Sequence, residues 1–207
     1  MSSLMARTSF IELTERLFLL GMSSYFIHVN YAPVFVQHSF VAFLYLTEAL
    51  FDTVFTLCRK PGKISLSKED WTVAVLGTYG SLLVVANPGV HPLAPLFLCG
   101  PLALTGLLLS LSAKLSLRRS FGIIAAVRPI KTSGPYRLVR HPMYFGYLLL
   151  NLAFLMQYPT LWNLGVLSFT WGMQFLRIRA EERLLSTQVP WQVWSSGVRW
   201  KLIPFVF

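Results

Sequence analysis

Charge is what this chain lacks. Only 13% of its 207 residues are Asp, Glu, Lys or Arg, against roughly 25% in a soluble domain. Acids are the scarcer sign, eight against eighteen basic residues. A soluble globular domain is excluded, and the 55% hydrophobic content with mean hydropathy +0.58 describes a polytopic membrane protein. Cysteine is scarce as well. Cys58 and Cys99 lie in or beside apolar runs, without the spacing of metal ligands, so both read as inert packing and no metal site is expected. An internal repeat is missing, which weighs against a secondary transporter. The N-terminus has no short signal-peptide pattern with a small-residue cleavage site, so the first apolar run is expected to be retained.

The basic residues that are present have a telling distribution. A net charge of +10 suggests nucleic acid, but the Lys and Arg are split among the connections between apolar runs. That pattern follows the positive-inside rule and does not form a nucleic-acid-binding face. The runs extend from Leu17 to about Val36, Ser39 to Cys58, Trp71 to Ala86, and about Leu93 to Leu111. Each is near the twenty or so residues a helix needs to cross about 30 Å of hydrocarbon, the third marginally. Two shorter runs follow, Met143 to Gln157 and Thr160 to Phe175, joined at Tyr158-Pro159. So short a joint predicts an antiparallel helical hairpin. The expectation is an all-α membrane protein of about six membrane helices, some of them short. With the basic connections at Arg59 to Lys68, Lys114 to Arg119 and Arg177 all cytoplasmic, the turns at Asn87 and Tyr158 fall together on the opposite side. The tail carries Trp191, Trp194 and Trp200 beside Arg199 and Lys201, as suits a segment at headgroup level.

Between the fourth and fifth runs lies a polar, proline-broken passage, Gly134-Pro135-Tyr136-Arg137-Leu138-Val139-Arg140-His141-Pro142-Met143-Tyr144-Phe145-Gly146. Pro142 disfavours helical geometry at His141 and suits the first position of a helix itself. Arg140 and His141 are therefore expected on extended backbone before a helix start that favours an anion. A second cluster, Arg177-Ile178-Arg179-Ala180-Glu181-Glu182, ends the last apolar run. From spacing alone, two readings stay open for the first cluster: juxtamembrane anchors or half of a site. Arg177 and Glu181 share a helix face, either as a surface ion pair or as a working pair.

Gly134-Pro135-Tyr136, Arg140-His141-Pro142 with Tyr144 and Gly146, and the Glu181-Glu182 pair after a hairpin together resemble the isoprenylcysteine carboxyl methyltransferase and phospholipid methyltransferase superfamily. These are integral-membrane enzymes that use S-adenosylmethionine. The motifs cover roughly Arg128 to Glu182. The resemblance implies cofactor contacts from Tyr136, His141, Pro142, Met143, Tyr144 and Glu181, and a substrate-facing Arg177, with His141, Arg177 and Glu181 as the catalytic set. Arg128 and Lys131 are cofactor candidates by position, although they depart from a stretch that usually reads His-x-Leu-Val. The usual Phe-Gly-x-x-Tyr segment is absent, and Trp191 and Trp194 stand in the place of that lid.

Glu48 and Asp52, four apart in the second run, would each cost roughly 2.5–3.5 kcal/mol near the centre of a spanning helix. They are expected to face protein or a cavity, either lining the substrate entrance or bonding to another helix. His28, Asn30, His38 and His91 have no metal-site spacing and read as structural.

The division expected is residues 1–113 as membrane helices on the acceptor side and residues 114–207 as the methyltransferase-like region. The function that follows is transfer of a methyl group from S-adenosylmethionine to a lipidic or membrane-partitioned acceptor: a prenylcysteine-type carboxylate, a thiol or a phospholipid amine. The cofactor site would face the cytoplasm, with the bilayer and a hydrophobic acceptor as partners and no nucleic acid. The rivals are a sterol-reductase-like membrane oxidoreductase using NADPH and a non-enzymatic membrane carrier.

Overall fold

A computed structural model of the chain describes residues 2–58, 63–64, 68–117, 126–127 and 131–206, without the side chains of residues 2–12, 15, 19, 63–64, 68 and 126–127. Seven α-helices account for most of it: α1 Ser2–Tyr31, α2 Phe40–Leu57, α3 Lys68–Tyr79, α4 Leu96–Leu117, α5 Pro142–Gln157, α6 Leu161–Leu185 and α7 Val189–Gly197. Each of the first six overlaps one of the six apolar runs, although α1 starts well before its run and α3 ends before its own does. Two of them, α2 and α4, are both long and apolar enough to cross a membrane. One antiparallel ribbon of two residues a side, β1 Lys63–Ile64 with β2 Ala126–Val127, ties the connection after α2 to the one after α4.

The helix boundaries follow local chemistry. Ser39 caps α2 by accepting from the Ala42 amide, and Thr160 caps α6 by accepting from the Asn163 amide at 3.0 Å. Pro142 opens α5, as the sequence predicts. Pro33 has no N–H to continue the α1 ladder, and the helix widens into a π turn over Ala32–Val36.

The α5–α6 pair differs from the expected hairpin. The start of α5 meets the end of α6, but contact between the two helices is sparse; α5 packs chiefly on α4, and α6 on α3. Side-chain size explains this. A Cβ on Gly106 of α4 would lie 2.7 Å from the Gly146 carbonyl oxygen, and one on Gly146 would lie 2.6 Å from that of Gly106. Ala103, Ser110, Ala113 and Ala153 continue the buried small-residue stripe. Backbones approach this closely only where side chains are minimal, the packing that favours helix association in lipid. On the other pair, Gly80 leaves room for Thr170 of α6.

The two turns expected on one side do meet. The Leu93 amide donates to the Met156 carbonyl at 2.8 Å, and Asn163 exchanges hydrogen bonds with the Val85 backbone at 2.9 and 3.0 Å. The Ser39 and Tyr158 hydroxyls bond there too. At the opposite end, Arg183 of α6 pairs with Asp70 of α3 at 2.9 Å. Asn30, fully buried, accepts from the Ala86 amide at 2.9 Å and so fastens α1 to the chain leaving α3. His38 has a left-handed backbone (φ 54°) at the break between α1 and α2.

Lys114, which begins the basic connection that continues through Arg118 and Arg119, has a completely buried side chain, between Glu48 and Asp52. Two acids on one face of an apolar helix need a compensating charge, and Lys114 lies one turn beyond Ser110 on the helix that faces them. Arg118 and Arg119 lie outside the described residues.

Candidate active site

Glu181 is where the polar side chains converge. Tyr144, in the first turn of α5, donates its hydroxyl to Glu181 Oε1 at 2.5 Å. Arg177, one turn earlier on α6, donates from Nε to the same oxygen at 3.3 Å and from Nη1 to Thr78 Oγ1 of α3 at 2.7 Å. Its guanidinium also lies 5.2 Å from the centre of the Tyr144 ring, a cation–π distance. Arg177 is 4% exposed, so this is no surface ion pair of the ordinary i,i+4 kind. Glu181 Oε2 is less committed, with His141 Nδ1 3.9 Å away.

His141 is buried just before α5 and reaches both acids. Its Nε2 lies 3.4 Å from Glu182 Oε1, and its ring centre is 6.5 Å from that of Trp191 on α7. Trp191 stacks on Trp194 at 4.8 Å, so the aromatic pair does lie over this corner. Burial by itself would raise the Glu182 carboxyl; hydrogen bonds and charge from His141 and then Lys201 outweigh it and hold the group at about 2. Tyr136, in the 3-10 turn Gly134–Arg137, is pushed above the ordinary phenol range by burial and by the negative charge of Glu181.

The expected residues therefore fall into three groups. Tyr144, His141, Arg177 and Glu181 share contacts, with Tyr136 within reach of the Glu181 charge and Pro142 and Met143 buried in the adjoining first turn. Glu48 and Asp52 form a separate cluster with Lys114, at 2.5 and 2.7 Å from its Nζ. Ser110 also donates to Glu48 at 2.8 Å, and Tyr147 to Asp52 at 2.8 Å. Lys131 is half-buried and has no described contact with either cluster, and Arg128 lies outside the described residues.

A small, partly open cavity lies beside the second cluster. It is bounded by Glu48 and Asp52 of α2, Thr78 of α3, Tyr147 and Asn151 of α5 and Gln174 of α6. Thr78 both lines this cavity and receives Arg177, so the cavity and the Glu181 cluster share a wall.

Arg140 is bound chiefly to the C-terminal tail. Its Nε and Nη2 donate to the Val198 and Ser195 carbonyls at 2.8 Å each, and its amide donates to the Trp200 carbonyl at 2.9 Å. It braces the C-terminal tail over the site. Thr78, Gln174, Tyr147 and Lys114 were missed from sequence. Only Lys114 had a legible signal, as the cation nearest in chain order to an apolar helix facing two buried acids.

Residues 96–187, a little under half of the chain, match the model of the isoprenylcysteine carboxyl methyltransferase (ICMT) family. The match takes in α4, α5 and α6 and starts well upstream of the motif passage. It agrees with the resemblance carried by the Gly134-to-Gly146 passage and the paired glutamates, and it names a family of membrane methyltransferases. No curated protein matches the chain.

Proposed function

We propose that this protein transfers a methyl group from S-adenosylmethionine to a hydrophobic acceptor within the bilayer. The observation that carries the reading is the convergence of Tyr144, Arg177 and His141 on Glu181 beside the first turn of α5. S-adenosylmethionine, when bound, supplies an electrophilic methyl group on a sulfonium.

The residues fit such a cofactor on two counts. Glu181 Oε2 is only loosely engaged and partly exposed, so it can accept from an ammonium. The amides of Met143 and Tyr144 belong to a first helical turn, where no preceding helical carbonyl takes them, so they can donate to a carboxylate. Arg177 and Tyr144 fix Glu181 Oε1 and leave the second oxygen able to accept from a ligand. Displacement at a methyl carbon needs alignment and dryness more than it needs acid or base. Trp191 and the tail held by Arg140 serve the second requirement. Six membrane helices, with the Glu181 end at the cytoplasmic face, agree with the distribution of basic residues.

The test is transfer of tritiated methyl from S-adenosylmethionine to a total lipid and prenyl-peptide panel in detergent, with Glu181→Gln alongside. Label in the organic phase that is lost in the variant supports the reading. Saturable NADPH binding with neither transfer nor S-adenosylmethionine binding overturns it in favour of a reductase.

A further inference from the structure

The cavity beside Glu48 has a charge balance and a hydrogen-bond balance, and both lean the same way. Glu48 and Asp52 bring two carboxylates against the one ammonium of Lys114. Arg177, which reaches Thr78 of the cavity lining, is already engaged by Glu181 and Thr78. Lys114 and Ser110 both occupy Glu48 Oε1. Glu48 Oε2 is buried with no hydrogen-bond partner, and so is Gln174 Oε1 of α6, whose Nε2 donates to the Gly77 carbonyl at 2.8 Å. Both residues line the cavity. Each orphaned acceptor carries a desolvation cost of about 1–3 kcal/mol, more for a charged group, until a donor meets it.

We propose that this cavity binds the head group of the methyl acceptor and that the head group is an amine, held between Glu48 Oε2 and Gln174 Oε1. The inference rests on the methyl-transfer reading and sharpens it, because a carboxylate acceptor would bring a third negative charge and no donor. An ammonium supplies up to three N–H donors and the missing positive charge. A thiol has one weak donor and no charge. Lining by Ala49, Leu82 and Leu150 gives the adjoining chain an apolar wall.

An ammonium has no lone pair, so one N–H proton passes to Glu48 Oε2. The freed nitrogen pair then forms the bond to the methyl carbon as the carbon–sulfur pair leaves with sulfur. The products are a methylated ammonium and a neutral thioether, and the proton remains on Glu48 until solvent removes it. Thr78, which lines the cavity and accepts from Arg177, links this site to the Glu181 cluster.

Calorimetric titration in neutral detergent, without S-adenosylmethionine, tests the site with dodecylamine, dodecanoate and dodecanol, each corrected for micelle partition. Saturable dodecylamine binding is expected, at least ten times tighter than either other probe. Glu48→Gln should weaken it at least tenfold. Ala49→Leu, which fills the cavity without touching a charge, should weaken it as much. Dodecanoate binding as tightly as dodecylamine overturns the proposal. So does amine binding unchanged in both variants, or no saturable binding at all, the orphaned oxygens then meeting water alone. A parallel titration with S-adenosylmethionine separates the two readings. Cofactor binding without amine binding removes the amine site and leaves methyl transfer standing; amine binding without cofactor binding keeps the amine site and removes the transfer.

Discussion

Helix α5 has two faces, and they do opposite things. Gly146 turns to α4, against the backbone of Gly106 and Ser110, and is buried at a tight seam of small residues. Tyr144, Tyr147 and Asn151 turn to the polar side. Tyr144 meets Glu181, Tyr147 meets Asp52, and Asn151 accepts from Tyr45 at 2.8 Å. The seam positions a helix by shape alone, whereas the polar face spends its contacts on charged groups next to open space. The close α4–α5 contact goes with a sparse α5–α6 contact, which leaves the polar side chains of α5 facing one another's partners rather than a second packed helix.

The largest effect should come from the seam. In Gly146→Leu the first side-chain carbon alone would sit 2.6 Å from the Ser110 amide nitrogen, and no folded protein is expected by size exclusion in detergent. Gly146→Ala adds that carbon and nothing beyond it, so it should fold with α4 and α5 shifted apart, at a loss of at least about 1–3 kcal/mol, read as a lower thermal midpoint. The folded fraction should keep the parent's affinity for S-adenosylmethionine. A variant with normal stability and lost affinity would break the division between the two faces.

Lys114 comes next. Lys114→Met leaves Glu48 and Asp52 buried without their cation, and breaking such a cluster costs about 3–5 kcal/mol. Adding Glu48→Gln and Asp52→Asn should restore most of the thermal midpoint while leaving dodecylamine unbound. If the triple variant stays as unstable as Lys114→Met, packing of the lysine stem rather than charge holds α2 on α4.

On the polar face, Glu181→Gln keeps a hydrogen-bond acceptor for Tyr144 but loses the charge. S-adenosylmethionine affinity should fall at least tenfold, about 1.4 kcal/mol, with a smaller change in thermal midpoint than Gly146→Ala gives. Equal losses of stability and affinity would mean that Glu181 serves the packing of α6.

How much of this was legible in sequence follows from which forces leave a local trace. Pro142 fixes where α5 starts, and Ser39 and Thr160 mark the starts of α2 and α6, because caps and prolines act within a few residues. The pairing of Arg177 with Glu181 was visible as helical spacing. The Gly106–Gly146 approach was not, since each glycine looks ordinary until the other helix is opposite it. The partners of Lys114 were hidden for the same reason: it ends an apolar run in sequence, and only the third dimension sets it between Glu48 and Asp52. Thr78 and Gln174 belong to α3 and α6, nearly a hundred residues apart, and carry no motif.

The smallest effect expected concerns the end of α6. The Glu182 carboxyl is held at about 2, below its ordinary 4.5, so the folded state favours the charged form. Its contribution to stability is complete above about pH 4.5 and is lost as the pH falls toward 2. Thermal midpoints followed across that window should decline less steeply in Glu182→Gln than in the parent. The difference should be slight, because Lys201 is 40% exposed and water screens such a pair. Identical slopes would show that Glu182 does little to hold the tail. The backbone bonds that Arg140 makes to Ser195 and Val198 would then be the fastening that keeps Trp191 over His141, and Arg140→Met, rather than any acid titration, would be the change that opens the polar face to water.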